Sequence, residues 1–224
     1  MIIASWNVFK GTTEKRADEL NKIYDADIIA FQETGFSADA LSAWCGEPDK
    51  SRKGVSVWSR YDFEVVKPAI PCSPSMGIRI DKSPIGPLNI LNLWAKPNPD
   101  YFSDLMNSLE AYDSFIKSGP SIILGDFNIS PKIKGKADKF NTFNAHLETE
   151  YNLASTYHLF THEPFGGETQ TTLYFRWNEA ATYHCDFIYL PKAFTGFIKS
   201  VVIPPYQDLD TSDHRPVICK IETG

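Results

Sequence analysis

The sequence is poor in the features that mark most functional classes. It has four cysteines, Cys45, Cys72, Cys185 and Cys219, and no C-x-x-C pair, which excludes a zinc knuckle and a thioredoxin-like redox motif. Their spacing is not that of a disulfide-stapled mini-domain, so reduced and mostly buried thiols are expected. No glycine-rich motif, internal repeat, low-complexity segment or linker is present. No apolar run approaches the ~18 residues of a membrane span. Met1-Ile2-Ile3-Ala4 is too short for the apolar region of a signal peptide and lacks a basic start, so a cytoplasmic protein is expected. Positive charge is also short: 22 Lys and Arg stand against 28 Asp and Glu, a formal charge of −6. A protein gripping long duplex nucleic acid mainly through phosphates is usually basic, at least locally. Acids serving as metal ligands, or a local basic face, are compatible with an acidic total. The one basic run, Lys132 to Lys139, reads as a solvated loop able to touch phosphates.

What is present fits one domain, residues 1–224. The chain is 42% hydrophobic and 22% charged, enough for a sizeable core. Strand and helix signals alternate. Strands are expected over Ile2 to Val8, Asp27 to Gln32, Gly54 to Ser59, onward to Val66 after a turn at Arg60-Tyr61-Asp62, Ile78 to Ile80, Leu88 to Trp94 and Ser121 to Leu124. Helices are expected over Thr13 to Tyr24, Ala38 to Cys45, Tyr101 to Ile116 and Phe140 to Tyr151. Thr169 to Trp177 and Tyr183 to Leu190 read as a hairpin through Asn178-Glu179-Ala180, and Phe197 to Ile203 and Val217 to Ile221 as final strands.

Four polar clusters flank these apolar runs: Trp6-Asn7, Gln32-Glu33, Gly125-Asp126-Phe127-Asn128 and Ser212-Asp213-His214. Glu33 lies just beyond a strand, where open α/β sheets carry their sites; a carboxylate there can hold Mg²⁺, which takes oxygen ligands. Asn7 can ligate a metal, donate to a phosphate oxygen, or simply form a turn. Asp126 and Asn128 are two apart, so in extended backbone they share a face while Phe127 points into the core. The carboxylate can orient or deprotonate water and the carboxamide can donate to phosphate. His214 can serve as a base or, charged, neutralise phosphate. Asp186 can fix its tautomer, and His184, two residues earlier, should share the face of Asp186.

Taken together and in order, Ser5-Trp6-Asn7, Gln32-Glu33, Gly54 to Arg60, Leu124 to Asn128, Asp186-Phe187-Ile188-Tyr189 and Ser212 to Val217 resemble the endonuclease/exonuclease/phosphatase superfamily. The resemblance implies an α/β fold, a four-layer sandwich of two packed mixed β-sheets flanked by helices, with the site at one edge. It implies that Glu33 is the principal Mg²⁺ ligand (Mn²⁺ can substitute), with Asn7 beside it and Asp213 at or near the metal. By the same resemblance Asp126 orients water, Asn128 contacts phosphate and Asp186 partners His214. Two departures stand out. Phe9 occupies the position where some members carry an Asp two residues after the Asn, which makes a second metal position less expected. The strand Leu88 to Trp94 should supply a His or Tyr to the phosphate, yet offers only Asn92, Trp94 and then Lys96, a residue equally readable as a surface lysine. Ser155 to His158 and Glu163 to Thr172 resemble a bacterial subset of the superfamily. His158 and His162 are further candidates, although structural roles suit lone histidines as well.

The expected reaction is Mg²⁺-assisted hydrolysis of a phosphodiester, with a nuclease acting on DNA or RNA as first choice and exposed aromatics such as Trp44, Trp94 and Trp177 as stacking surfaces. A phosphatase or phosphodiesterase for small or lipid phosphates is the alternative, favoured by the charge of −6 and by Phe9. A non-catalytic phosphate- or partner-binding domain of the same fold is the third reading. No protein partner is implied, and a monomer is expected.

Overall fold

The structure is a computed structural model and describes residues 1–36, 41–46 and 53–222. In chain order its elements are β1 (Ile2–Asn7), α1 (Thr13–Tyr24), β2 (Ile28–Thr34), β3 (Ser42–Gly46), β4 (Gly54–Ser59), β5 (Glu64–Val66), β6 (Ser75–Ile80) and β7 (Leu88–Trp94). There follow α2 (Tyr101–Ala111), α3 (Asp113–Lys117), β8 (Ser121–Asp126), α4 (Ala137–Glu150), β9 (Leu153–Ser155) and α5 (Thr156–Thr161). The chain closes with β10 (Leu173–Tyr174), β11 (Thr182–Tyr183), β12 (Asp186–Pro191), β13 (Ile198–Val202) and β14 (Val217–Ile221).

Two six-stranded mixed sheets pack face to face, ordered β13-β14-β1-β2-β4-β3 and β5-β6-β7-β8-β12-β9, with a small β10-β11 ribbon beside them. The parallel pairs are β1 with β2 and β7 with β8. These strands are buried on both faces, which is why they read as continuous apolar runs. Alternation then sorts their side chains. Ile3, Ile28, Ala30, Ile90, Ile122, Leu124, Ile188 and Leu190 fill the seam between the sheets. Ala4, Trp6, Ile29 and Phe31 face outward onto Ala17 and Leu20 of α1. On the far side Leu91, Leu93 and Ile123 meet α2, α3 and α4 through Leu105, Leu109, Phe115, Phe140 and Phe143. The result is the four-layer sandwich expected. The period of two also places Asn7, Gln32, Asn92, Asp126 and Asp186 in the seam-facing rows, at one end of the seam.

Several local expectations are corrected. Ser42–Gly46 is a strand antiparallel to β4, not a helix; residues 38–40 of that expected helix lie outside the described residues. The helix expected from Tyr101 to Ile116 is two, broken at Tyr112, whose φ of −113° and ψ of 10° end α2. Tyr112 still buries its ring and donates its hydroxyl to the Ser75 carbonyl. The expected hairpin survives only as Leu173-Tyr174 against Thr182-Tyr183; from Asp186 onward the chain joins the second sheet between β8 and β9. All four cysteines are free thiols, but Cys45 is exposed and Cys72 partly so. No helix among the described residues is long and apolar enough to cross a membrane.

Candidate active site

Asp126 is the hub. It ends β8, sits opposite Asp186 of β12 in register and is fully buried. Gly125 before it has φ 138°, and a Cβ there would collide with the Leu93 carbonyl oxygen, so the close approach of β7 and β8 requires glycine. Asp126 Oδ2 accepts from Asn7 Nδ2 at 2.9 Å and from Asn128 Nδ2 at 2.8 Å, and Oδ1 accepts from the Asn128 N–H at 3.0 Å. Asn128, at φ 51°, turns back onto Asp126 while Phe127 points into the core between Phe143, Phe187 and Tyr189.

Asn7 links this hub to Glu33. Its Nδ2 donates to Glu33 Oε1 at 3.0 Å, and its Oδ1 accepts the Phe9 N–H at 3.0 Å. The amide therefore presents nitrogen, not oxygen, to both carboxylates, and ligation of a cation by Asn7 requires the amide to turn over. Glu33 owes its direction to a bulge. The pairing of β2 with β4 shifts between Gln32 and Thr34, and Glu33 takes φ 61°, so its side chain leaves the strand alternation for the edge of the site. Lys53 Nζ lies 2.6 Å from Glu33 Oε2.

On the opposite side His214 Nδ1 is 2.9 Å from Asp186 Oδ2. Ser212 fixes the loop that carries the imidazole: its hydroxyl donates to the Asn7 carbonyl at 2.7 Å and accepts the His214 N–H at 3.0 Å. Trp6 Nε1 donates to the His214 carbonyl at 3.1 Å, and buried Arg215 donates to the carbonyls of Tyr206, Leu209 and Ser212. Burial alone would lower the His214 pKa, but the carboxylates of Asp186 and Asp126 outweigh it and raise it to about 10. Asp126 is raised to about 7, first by burial and then by Asp186, with His214 and the Asn7 hydrogen bond opposing. Asp213 turns away toward the β10 loop, where its carboxylate accepts the Arg176 N–H at 3.2 Å.

The other candidates are placed differently. Asn92 is fully buried between the sheets and spends its amide there, donating to the Phe31 and Ser56 carbonyls and accepting from Gln32. Trp94 packs against the inter-sheet core, with Lys96 Nζ 4.5 Å from its ring centroid. His158 joins a separate constellation, with Ser155 Oγ 2.8 Å from Nδ1 and Glu168 Oε1 3.2 Å from Nε2. His184 packs beside it, ring centroids 5.7 Å apart, and bonds the Gln170 carbonyl. His162 is a cap at the end of α5.

Residues not read from the sequence complete the site. Tyr101 opens α2 behind the Asp100 cap, whose carboxylate accepts from the N–H groups of Phe102 and Ser103. With Asn128, Ile133, Lys136, Leu173 and Phe175, Tyr101 lines a cavity of about 200 Å³. Its hydroxyl pKa is raised by burial and then by Asp126, Cys185 and Glu33. The basic run is tied in as well: Lys136 lies over the Tyr101 ring, Lys139 pairs with Asp100, and Lys132 donates to the Glu168 carbonyl. At the other rim, Phe9 at φ 57° packs edge-on against Trp177, centroids 4.8 Å apart.

Fold and site define a two-sheet α/β protein with an acid–amide–imidazole centre at one end of its seam, an arrangement suited to phosphoester hydrolysis. The sequence model of the Endonuclease/Exonuclease/phosphatase family matches residues 4–214, and the chain belongs to that family. Among solved structures it is similar to a 3′-5′ exonuclease (NExo) from Neisseria meningitidis, at 21% identity and TM-score 0.70. It is also similar to a singly substituted form of the 3′ phosphatase NExo from Neisseria bound to product DNA hairpin, at 21% and 0.73. An AP endonuclease from Archaeoglobus fulgidus is similar at 16% and 0.70. Each comparison covers 100% of both chains. No curated protein matches the sequence.

Proposed function

We propose that the chain is a divalent-cation-dependent nuclease that hydrolyses phosphoester bonds of DNA or RNA. The observation that carries this reading is the continuous hydrogen-bonded path Glu33–Asn7–Asp126–Asn128, facing the Asp186–His214 pair across the end of the seam. The donor set suits a hard cation: Glu33 offers carboxylate oxygens, and one of them already carries an ammonium. Glu33 would hold Mg²⁺ or Mn²⁺, which supplies charge neutralisation at the phosphoryl oxygens when bound.

The chain's own residues do the rest. Asp126, fixed by three amide hydrogen bonds, orients the attacking water and accepts its proton. Asn7 and Asn128 spend their amide N–H groups on Glu33 and Asp126 and so hold these carboxylates in place. His214 has Nδ1 committed to Asp186, which leaves Nε2 to donate to the phosphoryl oxygens as charge builds there. Such a preorganised donor costs no reorganisation during reaction. The substrate class draws support from the cavity beside Asn128: its aromatic walls and Lys136 suit a sugar or base attached to a phosphate. The relatives named as a 3′-5′ exonuclease and as a 3′ phosphatase bound to a DNA hairpin point the same way.

A phosphatase for small phosphates is the second reading. It is favoured by Phe9 and its contact with Trp177, which set an aromatic pair beside Glu33 and Lys53. The test is a panel with Mg²⁺: single-stranded and duplex oligonucleotides, a 3′-phosphorylated oligonucleotide, an inositol phosphate and a generic diester. Turnover of the oligonucleotide arms is expected. Turnover confined to the inositol phosphate would overturn the nucleic-acid reading.

A further inference from the structure

Lys53 stands just before β4 and reaches Glu33 from the side opposite Asn7. Its Nζ is 2.6 Å from Glu33 Oε2, the oxygen that Asn7 leaves alone, since Asn7 donates to Oε1. The same Nζ lies 4.3 Å from the centroid of the Phe9 ring, and Phe9 is itself braced by Trp177. The ammonium is therefore held between a carboxylate and an aromatic face, both of which attract a cation. The side chains of Lys53 and Glu33 are 26% and 20% exposed, so the pair is screened less than a surface pair while remaining open to exchange. A divalent cation held by Glu33 would bring further positive charge to the carboxylate that Lys53 already pairs with. Two like charges a few ångströms apart repel strongly at the effective dielectric near a protein surface.

We propose that Lys53 is a positioning residue that couples cation binding to phosphate binding. It holds the Glu33 carboxylate in place without a cation and yields it when one binds. Its ammonium then moves across the Phe9 face, where a phosphoryl oxygen becomes its partner. Lysine suits this exchange because its ammonium is a point charge on a flexible stem. The proposal rests on the reading of Glu33 as the cation ligand.

The test is direct Mn²⁺ binding to the whole chain, followed by the electron paramagnetic resonance of free Mn²⁺, for wild type, Lys53→Met, Lys53→Gln and Lys53→Arg. Two neutral variants guard against one folding poorly. Both should bind Mn²⁺ about tenfold more tightly than wild type, with Lys53→Arg within about twofold because the charge remains. Titration of inorganic phosphate into the Mn²⁺-loaded proteins should show the reverse order, with the neutral variants about tenfold weaker. A merely structural lysine would not move the two affinities in opposite directions. Unchanged or weaker Mn²⁺ binding in both neutral variants overturns the role of Lys53 while leaving Glu33 as ligand. Failure of the wild type to bind Mn²⁺ overturns the reading of Glu33 and this proposal with it.

Discussion

The Nδ1 atom of His214 lies 2.9 Å from Oδ2 of Asp186, although 28 residues separate them in the chain. The pair is all but closed to solvent, with side chains 7% and 0% exposed. A carboxylate so placed fixes both the orientation of the ring and its charge.

Replacing Asp186 by Asn keeps the shape and removes the charge that holds His214 protonated. Turnover should fall by about 10²–10⁴-fold, as for a tautomer-fixing acid elsewhere, and the melting temperature should fall as well, because the buried imidazolium loses its partner. Single-turnover kinetics beside a melting curve checks both. Wild-type turnover would show that the pair is structural only.

Glu33→Ala or His214→Ala should each lower turnover at least ~100-fold, in keeping with loss of a key electrostatic group. For Glu33→Ala, raising the Mg²⁺ concentration should recover part of the loss; for His214→Ala it should recover none. Equal rescue of both would contradict the division of roles between them.

Phe127 should matter to folding. Its ring is fully buried among Phe143, Phe187 and Tyr189. Phe127→Ala should destabilise by about 3–5 kcal/mol, read as a lower urea midpoint. A loss under about 1 kcal/mol would mean the strand end is not pinned by this ring.

Acid should unfold the protein partly through His184. Burial lowers its pKa from 6.5 to about 4, so between these values the unfolded chain binds the proton and the folded chain does not. Stability therefore falls as pH drops from 6.5 toward 4, at up to about 1.4 kcal/mol per pH unit. The Glu168 carboxyl, lowered from 4.5 to about 2 despite burial by its His158 and backbone hydrogen bonds, adds a further loss from 4.5 downward. Urea titrations of His184→Gln between about pH 4 and 6.5 should show a flatter slope than the wild type; an unchanged slope would exclude His184.

Much of this site was legible because strand alternation is a strict rule. Asp126 faces the seam as spacing two dictates, and seam-facing rows ending in Asn7 and Asp186 converge for the same reason, whereas Asn128 reaches Asp126 through a left-handed turn at φ 51°. The exceptions are residues governed by tertiary context. Asn92 reads as a site residue, but it satisfies backbone carbonyls between the sheets. Ser42–Gly46 follows an alanine-rich stretch that reads as helix, yet pairing with β4 decides its state. Lys53 and Tyr101 carry no local signal, since one is recruited by a bulge at Glu33 and the other by a helix cap at Asp100. His158 meets Glu168 only through the loop after α5.

The central claim, that Asp126 orients and deprotonates the attacking water, is tested most directly by Asp126→Asn. The change is isosteric, keeping the side-chain shape while replacing one of the two oxygens that accept from Asn7 and Asn128. Single-turnover cleavage of an oligonucleotide at saturating Mg²⁺ should slow at least about 100-fold, with oligonucleotide binding retained. Cleavage at the wild-type rate would contradict the account.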